Sequence, residues 1–166
     1  MITGKEDLLQ ALIEVFMMEK GIHQFYSELS VKAQAAEARK TFAELANWEA
    51  EHMRYVQNFY QSLTDDRDPI SFNEFSKKLR PDAAEGGVPM TELEKRVAEF
   101  TFLDDRGAID FALTVEAGEY ALYLKLSNQT QDTNVKALCE DFMGWEQDHI
   151  KHLKILKEKI GSSFGK

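Results

Sequence analysis

Two stretches of this chain, 97 residues apart, carry the same residues at the same spacing. Glu19 and Tyr26 recur as Glu116 and Tyr123, and Glu49 and His52 recur as Glu146 and His149. Gly21 and Gly118, Leu29 and Leu126, Ser30 and Ser127, and Trp48 and Trp145 fall on the same offset. Each copy therefore reads Glu-x6-Tyr, then 22 residues, then Glu-x2-His. A unit used twice must bury the same residues twice, which makes this an internal repeat and restricts the fold to two alike halves.

The spacing around these residues is helical. Proline occurs only at positions 69, 81 and 89, so the chain on either side can be helical through most of its length. Thr3 with Glu6 forms a capping box, and the helix that follows presents Leu9, Leu12, Phe16, Glu19, Ile22, Tyr26 and Leu29 on one face, three and four residues apart. A break at Ala35-Ala36-Glu37 precedes a second helix with Phe42, Leu45, Glu49, His52, Val56, Phe59 and Leu63 inward. A third helix runs from about Asp105 to Asn128 with Leu113, Glu116, Tyr120 or Tyr123, and Leu126 inward. After the polar turn 128–133 a fourth carries Leu138, Phe142, Glu146, His149, Leu153 and Leu156, with Gly161 placed to end it. The stretch 64–104 holds all three prolines and two more capping boxes, Ser71 with Glu74 and Thr91 with Glu94, so it reads as a long crossover interrupted by short helices. Short loops make helices 1 and 2 neighbours and helices 3 and 4 neighbours. The expected fold is all-α: one domain over residues 1–166, a four-helix bundle with its long crossover between helices 2 and 3.

Each apolar face is interrupted by carboxylates. Glu and His three apart on a helix point the same way, so Glu49 with His52, and Glu146 with His149, each offer an oxygen and a nitrogen to one point. Glu19 and Glu116 add a carboxylate from each remaining helix. Four carboxylates in a dry core cannot stay ionised unaided, because each buried ion costs several kcal/mol, and two divalent cations supply the missing charge. A hard set of oxygens and imidazole nitrogens suits iron or manganese, and zinc would bind tightly too. A single cysteine, Cys139, excludes a disulfide framework, a zinc ribbon and any thiolate-held cluster. The net charge of -9 argues against nucleic acid and anionic membranes as partners. No apolar run approaches the roughly 20 residues of a membrane span, and the first residues show no signal-peptide stretch, so the expected location is the cytoplasm.

Glu19…Tyr26…Glu49-x-x-His52 and Glu116…Tyr123…Glu146-x-x-His149 resemble the ferritin-like di-iron carboxylate proteins, and the rubrerythrins most, over roughly residues 5–64 and 105–160. Glu119, one turn after Glu116, favours rubrerythrins within that group. The first half has Ile22 at the equivalent position. The resemblance implies a ferritin-like bundle with two iron ions bridged by Glu49 and Glu146. Glu19 and His52 would be terminal on one ion and Glu116 and His149 on the other, with Glu119 a redox-dependent ligand. It implies that Tyr26 and Tyr123 hydrogen-bond the ligating carboxylates, and that Glu119, Tyr26 and Tyr123 serve the chemistry. The implied activity is reduction of hydrogen peroxide, or reaction with dioxygen, in defence against oxidative stress. The four-cysteine rubredoxin domain of full-length rubrerythrins is absent from this sequence, so electrons would come from an external donor such as a rubredoxin-type protein. A homodimer or higher homo-oligomer is implied too. The alternative is a ferroxidase that stores or buffers iron; oxygenation of an organic substrate has no pocket marked for it in the sequence.

The remaining chemistry-bearing residues read more plainly. Trp48 and Trp145 read as packing, and His23 and His152 as lying at the surface or behind the ligands. Glu14, Glu51 and Asp148 read as solvated flanks. Met17 and Met18 read as filling, and Cys139, opposite Phe42 in the repeat, as a buried inert thiol. Lys151, Lys154, Lys157 and Lys159 suit the negative end of a helix dipole.

Overall fold

The computed structural model describes residues 5–64 and 104–163. Among them are four helices and no strand: α1 (Lys5–Lys32), α2 (Ala36–Thr64), α3 (Asp105–Gln129) and α4 (Thr133–Ser163). The all-α bundle expected from the periodicity is the fold observed. Thr3 and the crossover, with its expected short helices at Ser71 and Thr91, lie outside the described residues.

Local chemistry sets the helix ends. Asp104 caps α3 by accepting a hydrogen bond from the Gly107 N–H at 2.8 Å, satisfying a donor that the first turn would otherwise leave free. Asp132 does the same for α4, accepting from Asn134 at 2.8 Å and Val135 at 3.3 Å. One of the contacts that join the halves lies at an end of the bundle. Asp105, buried at the start of α3, accepts from the backbone N–H groups of Gln34 at 2.8 Å and Ala35 at 2.6 Å, in the loop between α1 and α2. Helix α3 therefore begins at the end of the bundle where α2 began, as a long crossover requires.

Helix α1 packs along α2 and α3 along α4, with a narrower seam between α2 and α4. The core between them holds Leu12, Phe16, Ile22, Leu29, Phe42, Leu45 and Val56 from the first hairpin and Ala112, Leu138, Phe142, Leu153 and Leu156 from the second. Fully burying one such Leu or Phe contributes about 1.5–3 kcal/mol. Cys139 is buried, and burial pushes its thiol up to about 11, so it is an inert packing group.

Small differences from the sequence reading have local causes. Tyr123, not Tyr120, is the buried tyrosine of α3, and Tyr60 is buried while Phe59 and Leu63 are half-buried. Three-and-four spacing fixes a face but not which of two adjacent residues at its edge turns inward. Gly161 does not end α4, which continues to Ser163. Its backbone is not left-handed, and a glycine without that conformation merely weakens a helix by about 1 kcal/mol rather than stopping it. No described helix is long and apolar enough to cross a membrane.

Candidate metal centre

Seven polar side chains converge in the middle of this apolar core. Glu19 comes from α1, Glu49 and His52 from α2, Glu116 and Glu119 from α3, and Glu146 and His149 from α4. The five carboxylates are at most 1% exposed and the histidines 4% and 2%. Among the described residues their oxygen and nitrogen atoms form overlapping groups that could each hold an ion: Glu49 with Glu116, Glu146 and His149; Glu19 with His52 and Glu146; Glu49 with both histidines; and Glu19 with Glu49 and Glu119.

The contacts follow the repeat. His52 Nδ1 lies 3.2 Å from Glu19 Oε2, and its counterpart His149 Nδ1 lies 3.1 Å from Glu116 Oε2. The other oxygen of each of these carboxylates accepts from a tyrosine of the opposite hairpin: the Tyr123 hydroxyl donates to Glu19 Oε1, and the Tyr26 hydroxyl to Glu116 Oε1. Glu49 and Glu146 behave differently. Glu49 turns Oε2 to His52 and Oε1 to His149, both at 3.1 Å. Glu146 turns Oε1 to His52 at 3.6 Å and Oε2 to His149 at 3.1 Å. A carboxylate that divides its oxygens between two centres is shaped to bridge them, and one with an oxygen tied off by a hydroxyl is shaped to serve one.

The electrostatics describe a site lacking positive charge. Burial raises the Glu19 carboxyl to about 8, against the opposing hydrogen bond to His52. Burial also pushes Glu119 and Glu146 well above the usual carboxylate range, with neighbouring carboxylates adding to the shift. Glu49 is the exception: burial would raise it too, but hydrogen bonds to His149 and His52 hold it well below that range. Burial disfavours the charged imidazoles, yet hydrogen bonds to carboxylates outweigh it, lifting His52 to about 10 and His149 further. Among the described residues neither oxygen of Glu119 accepts a hydrogen bond, and the oxygens of Glu49 and Glu146 face only the two imidazoles, although each unmet buried acceptor costs about 1–3 kcal/mol or more. Orphaned oxygens beside two imidazole nitrogens fit a hard divalent metal.

Glu119 breaks the symmetry. It groups with Glu19 and Glu49, so the extra carboxylate serves the Glu19 side, and buried Ile22 takes its place in the first hairpin. The repeat alone could not assign that side, since Glu119 has no partner in it. Sequence reading also missed what the tryptophans touch. Trp145, His52, His149 and Trp48 form one continuous stack, with centroids 4.9, 5.0 and 5.2 Å apart and planes within 18°. The offset pairs each tryptophan with the other, but only the crossing of α2 and α4 places each against the opposite helix's histidine. His23 is half-buried, with Nδ1 2.7 Å from the Ala46 carbonyl, and His152 is exposed. Neither joins the cluster.

Removing a tyrosine hydroxyl should loosen one side only. Tyr123→Phe keeps the ring and frees Glu19 Oε1, and groups in this supporting position are worth about 10–100-fold in metal affinity. Calorimetric titration of the variant should show one of two binding steps weakened by about tenfold; equal weakening of both would speak against the division of roles.

A family model described as Rubrerythrin matches residues 10–99, just over half of the chain. The match spans the first hairpin and most of the crossover, whereas the resemblance read from the sequence rested on the two hairpins. No curated protein and no solved structure matches.

Proposed function

The chain belongs to the rubrerythrin family, and on that premise we propose that it is a di-iron oxidoreductase that reduces hydrogen peroxide to water with electrons from an external donor. Glu49 and Glu146 would hold both ions, with Glu19 and His52 completing the set for one and Glu116 and His149 for the other. Two ferrous ions held there supply the two electrons of the reduction, in which H2O2, two protons and two electrons give two waters.

The residues provide what the metal does not. The five carboxylates lie on four rigid helices, so only side-chain movement can adapt the site as its charge changes. Glu119 is suited to that movement, because no hydrogen bond from a described residue holds its carboxyl. With five carboxylates facing two divalent ions, a protonated Glu119 brings the carboxylate and metal charges to balance. Burial and the neighbouring carboxylates favour its protonated form, so Glu119 could release a proton to the departing oxygen of peroxide, and its freed oxygen would then serve as a further ligand. Tyr26 and Tyr123 keep Glu116 and Glu19 in place meanwhile, each hydroxyl fixed to a carboxylate oxygen.

The single observation that carries this reading is the fifth carboxylate, Glu119, buried on one side of an otherwise twofold site. Stopped-flow oxidation of the anaerobic ferrous protein tests it. Peroxide should react at least about tenfold faster than dioxygen, a difference of about 1.4 kcal/mol in barrier. A faster reaction with dioxygen, together with iron uptake continuing beyond two per chain, would favour ferroxidation and storage instead. The family resemblance implies a rubredoxin-type protein as one such donor.

A further inference from the structure

Above the two histidines, between α2 and α4, lies a cleft of about 640 Å³ lined by Trp48, Arg54, Tyr55, Asn58, Trp145 and Asp148, among others, with His52 and His149 against it. Peroxide has little use for such a space, since a water occupies about 30 Å³ of liquid and peroxide is not much larger. The volume falls in the range of small-molecule sites, about 300–1,000 Å³.

We propose that this cleft binds an uncharged quinol, which delivers electrons to the centre across the row of stacked rings. Three observations select that occupant. The cleft is walled by aromatic rings: Trp145 and Trp48 at the two ends of the stack, with Tyr55 edge-on to Trp145 at 5.1 Å and His152 against Trp48 at 4.8 Å. Such walls favour a flat conjugated molecule. The histidines turn Nδ1 inward to the carboxylates, which leaves Nε2–H as the donor for an oxygen in the cleft. A quinone has such oxygens. Outside the ligand histidines, which face buried carboxylates, the charged groups of the lining are Glu51 and Asp148 against Arg54, and Arg54 is already paired with Glu51, so an anionic carrier is disfavoured.

Among the described residues this is a side on which the centre approaches the surface. The carboxylates are sealed in the core, whereas both histidines reach the cleft. A quinol there loses two electrons and two protons to become the quinone, and peroxide takes up two of each to become two waters, so that QH2 and H2O2 give Q and two H2O. The proposal rests on the peroxide-reducing reading for the fate of the electrons, but not for the binding.

The chain has two tryptophans, and both line the cleft, so its tryptophan emission reports on this site alone. The full chain loaded with Zn(II), which is redox-silent, is titrated with menadione. Saturable quenching is expected, and a sulfonated naphthoquinone should bind at least about tenfold more weakly, the size of effect that about 1.4 kcal/mol produces. Asn58→Phe, at an exposed position on the cleft wall, should fill the cleft and weaken menadione binding by a similar factor. Tyr55→Ala, which removes a wall, should weaken it as well. Absence of saturable quenching, equal affinity for the sulfonated compound, or unchanged binding by both variants overturns the proposal. None of these readouts involves peroxide. A protein that binds menadione as described but reacts faster with dioxygen would therefore leave this site standing and remove the peroxidase reading.

Discussion

Removing metal from this protein is expected to lower its thermal midpoint by about 10 °C or more. A ligand present at a thousand times its dissociation constant stabilises the folded state by about 4 kcal/mol. In a chain of this size each kcal/mol moves the midpoint by roughly 2–4 °C. The comparison is between protein stripped with chelator and protein refilled anaerobically with ferrous ion, read by circular dichroism. The pH dependence sharpens it. The folded Glu19 carboxyl sits at about 8, above its ordinary 4.5, so its contribution to the metal-free fold is complete below 4.5 and is lost as pH rises through about 8. His52, lifted from 6.5 to about 10, likewise contributes fully below 6.5 and loses that contribution as pH rises through about 10. Glu49 acts in the opposite sense, losing its contribution only as pH falls into the strongly acidic range. The metal-free midpoint should therefore fall between pH 5 and 9. Over the same interval the gain on adding metal should grow, because protons compete with cations for these ligands. Curves that stay parallel, or midpoints that ignore metal, would count against a cation-filled core.

The second large effect concerns Glu119. Glutamine has the size and shape of the protonated carboxyl but can neither release its proton nor become an anion. Glu119→Gln should therefore still fold and still bind two ferrous ions, while its oxidation by peroxide slows by about 100-fold, the upper end of what a supporting group near a metal is worth. The slowing should be smaller with dioxygen, changing the ratio of the two rates. Stopped-flow absorbance of parent and variant measures both. A variant that keeps the parent's rate ratio would remove the main support for peroxide as the oxidant.

Much of this arrangement could be read from residue spacing, and the limits have physical causes. Glu19, Tyr26, Glu49, His52 and their counterparts were identifiable because each half repeats them on one helical face, and an apolar face tolerates a carboxylate only if something inside compensates it. The third helix starts at Asp105 as the helical pattern expects, while the break lies at residues 33–35, two residues before the expected Ala35-Ala36-Glu37. Contacts between helices could not be read from spacing. The tyrosine–carboxylate bonds across the site were an expectation of the family resemblance; spacing alone says neither that Tyr26 takes Glu116, nor that Glu119 sides with Glu19, nor that Trp145 stacks on His52. These depend on how α1 lies against α3 and α2 against α4, which periodicity within one helix does not encode. The tryptophans read as packing for the same reason: one turn before each ligand histidine they resemble any half-buried aromatic, and only the partner helix shows what they pack against.

The central claim is a buried pair of cations shared by Glu49 and Glu146. Anaerobic titration with ferrous ion, followed by calorimetry, tests it most directly. Parent protein should give a break at two ions per chain, and Glu49→Ala, which removes a carboxylate that both ions share, should lose at least one of them. A chain that takes up no ferrous ion, or a Glu49→Ala variant that binds two as tightly as the parent, would contradict it.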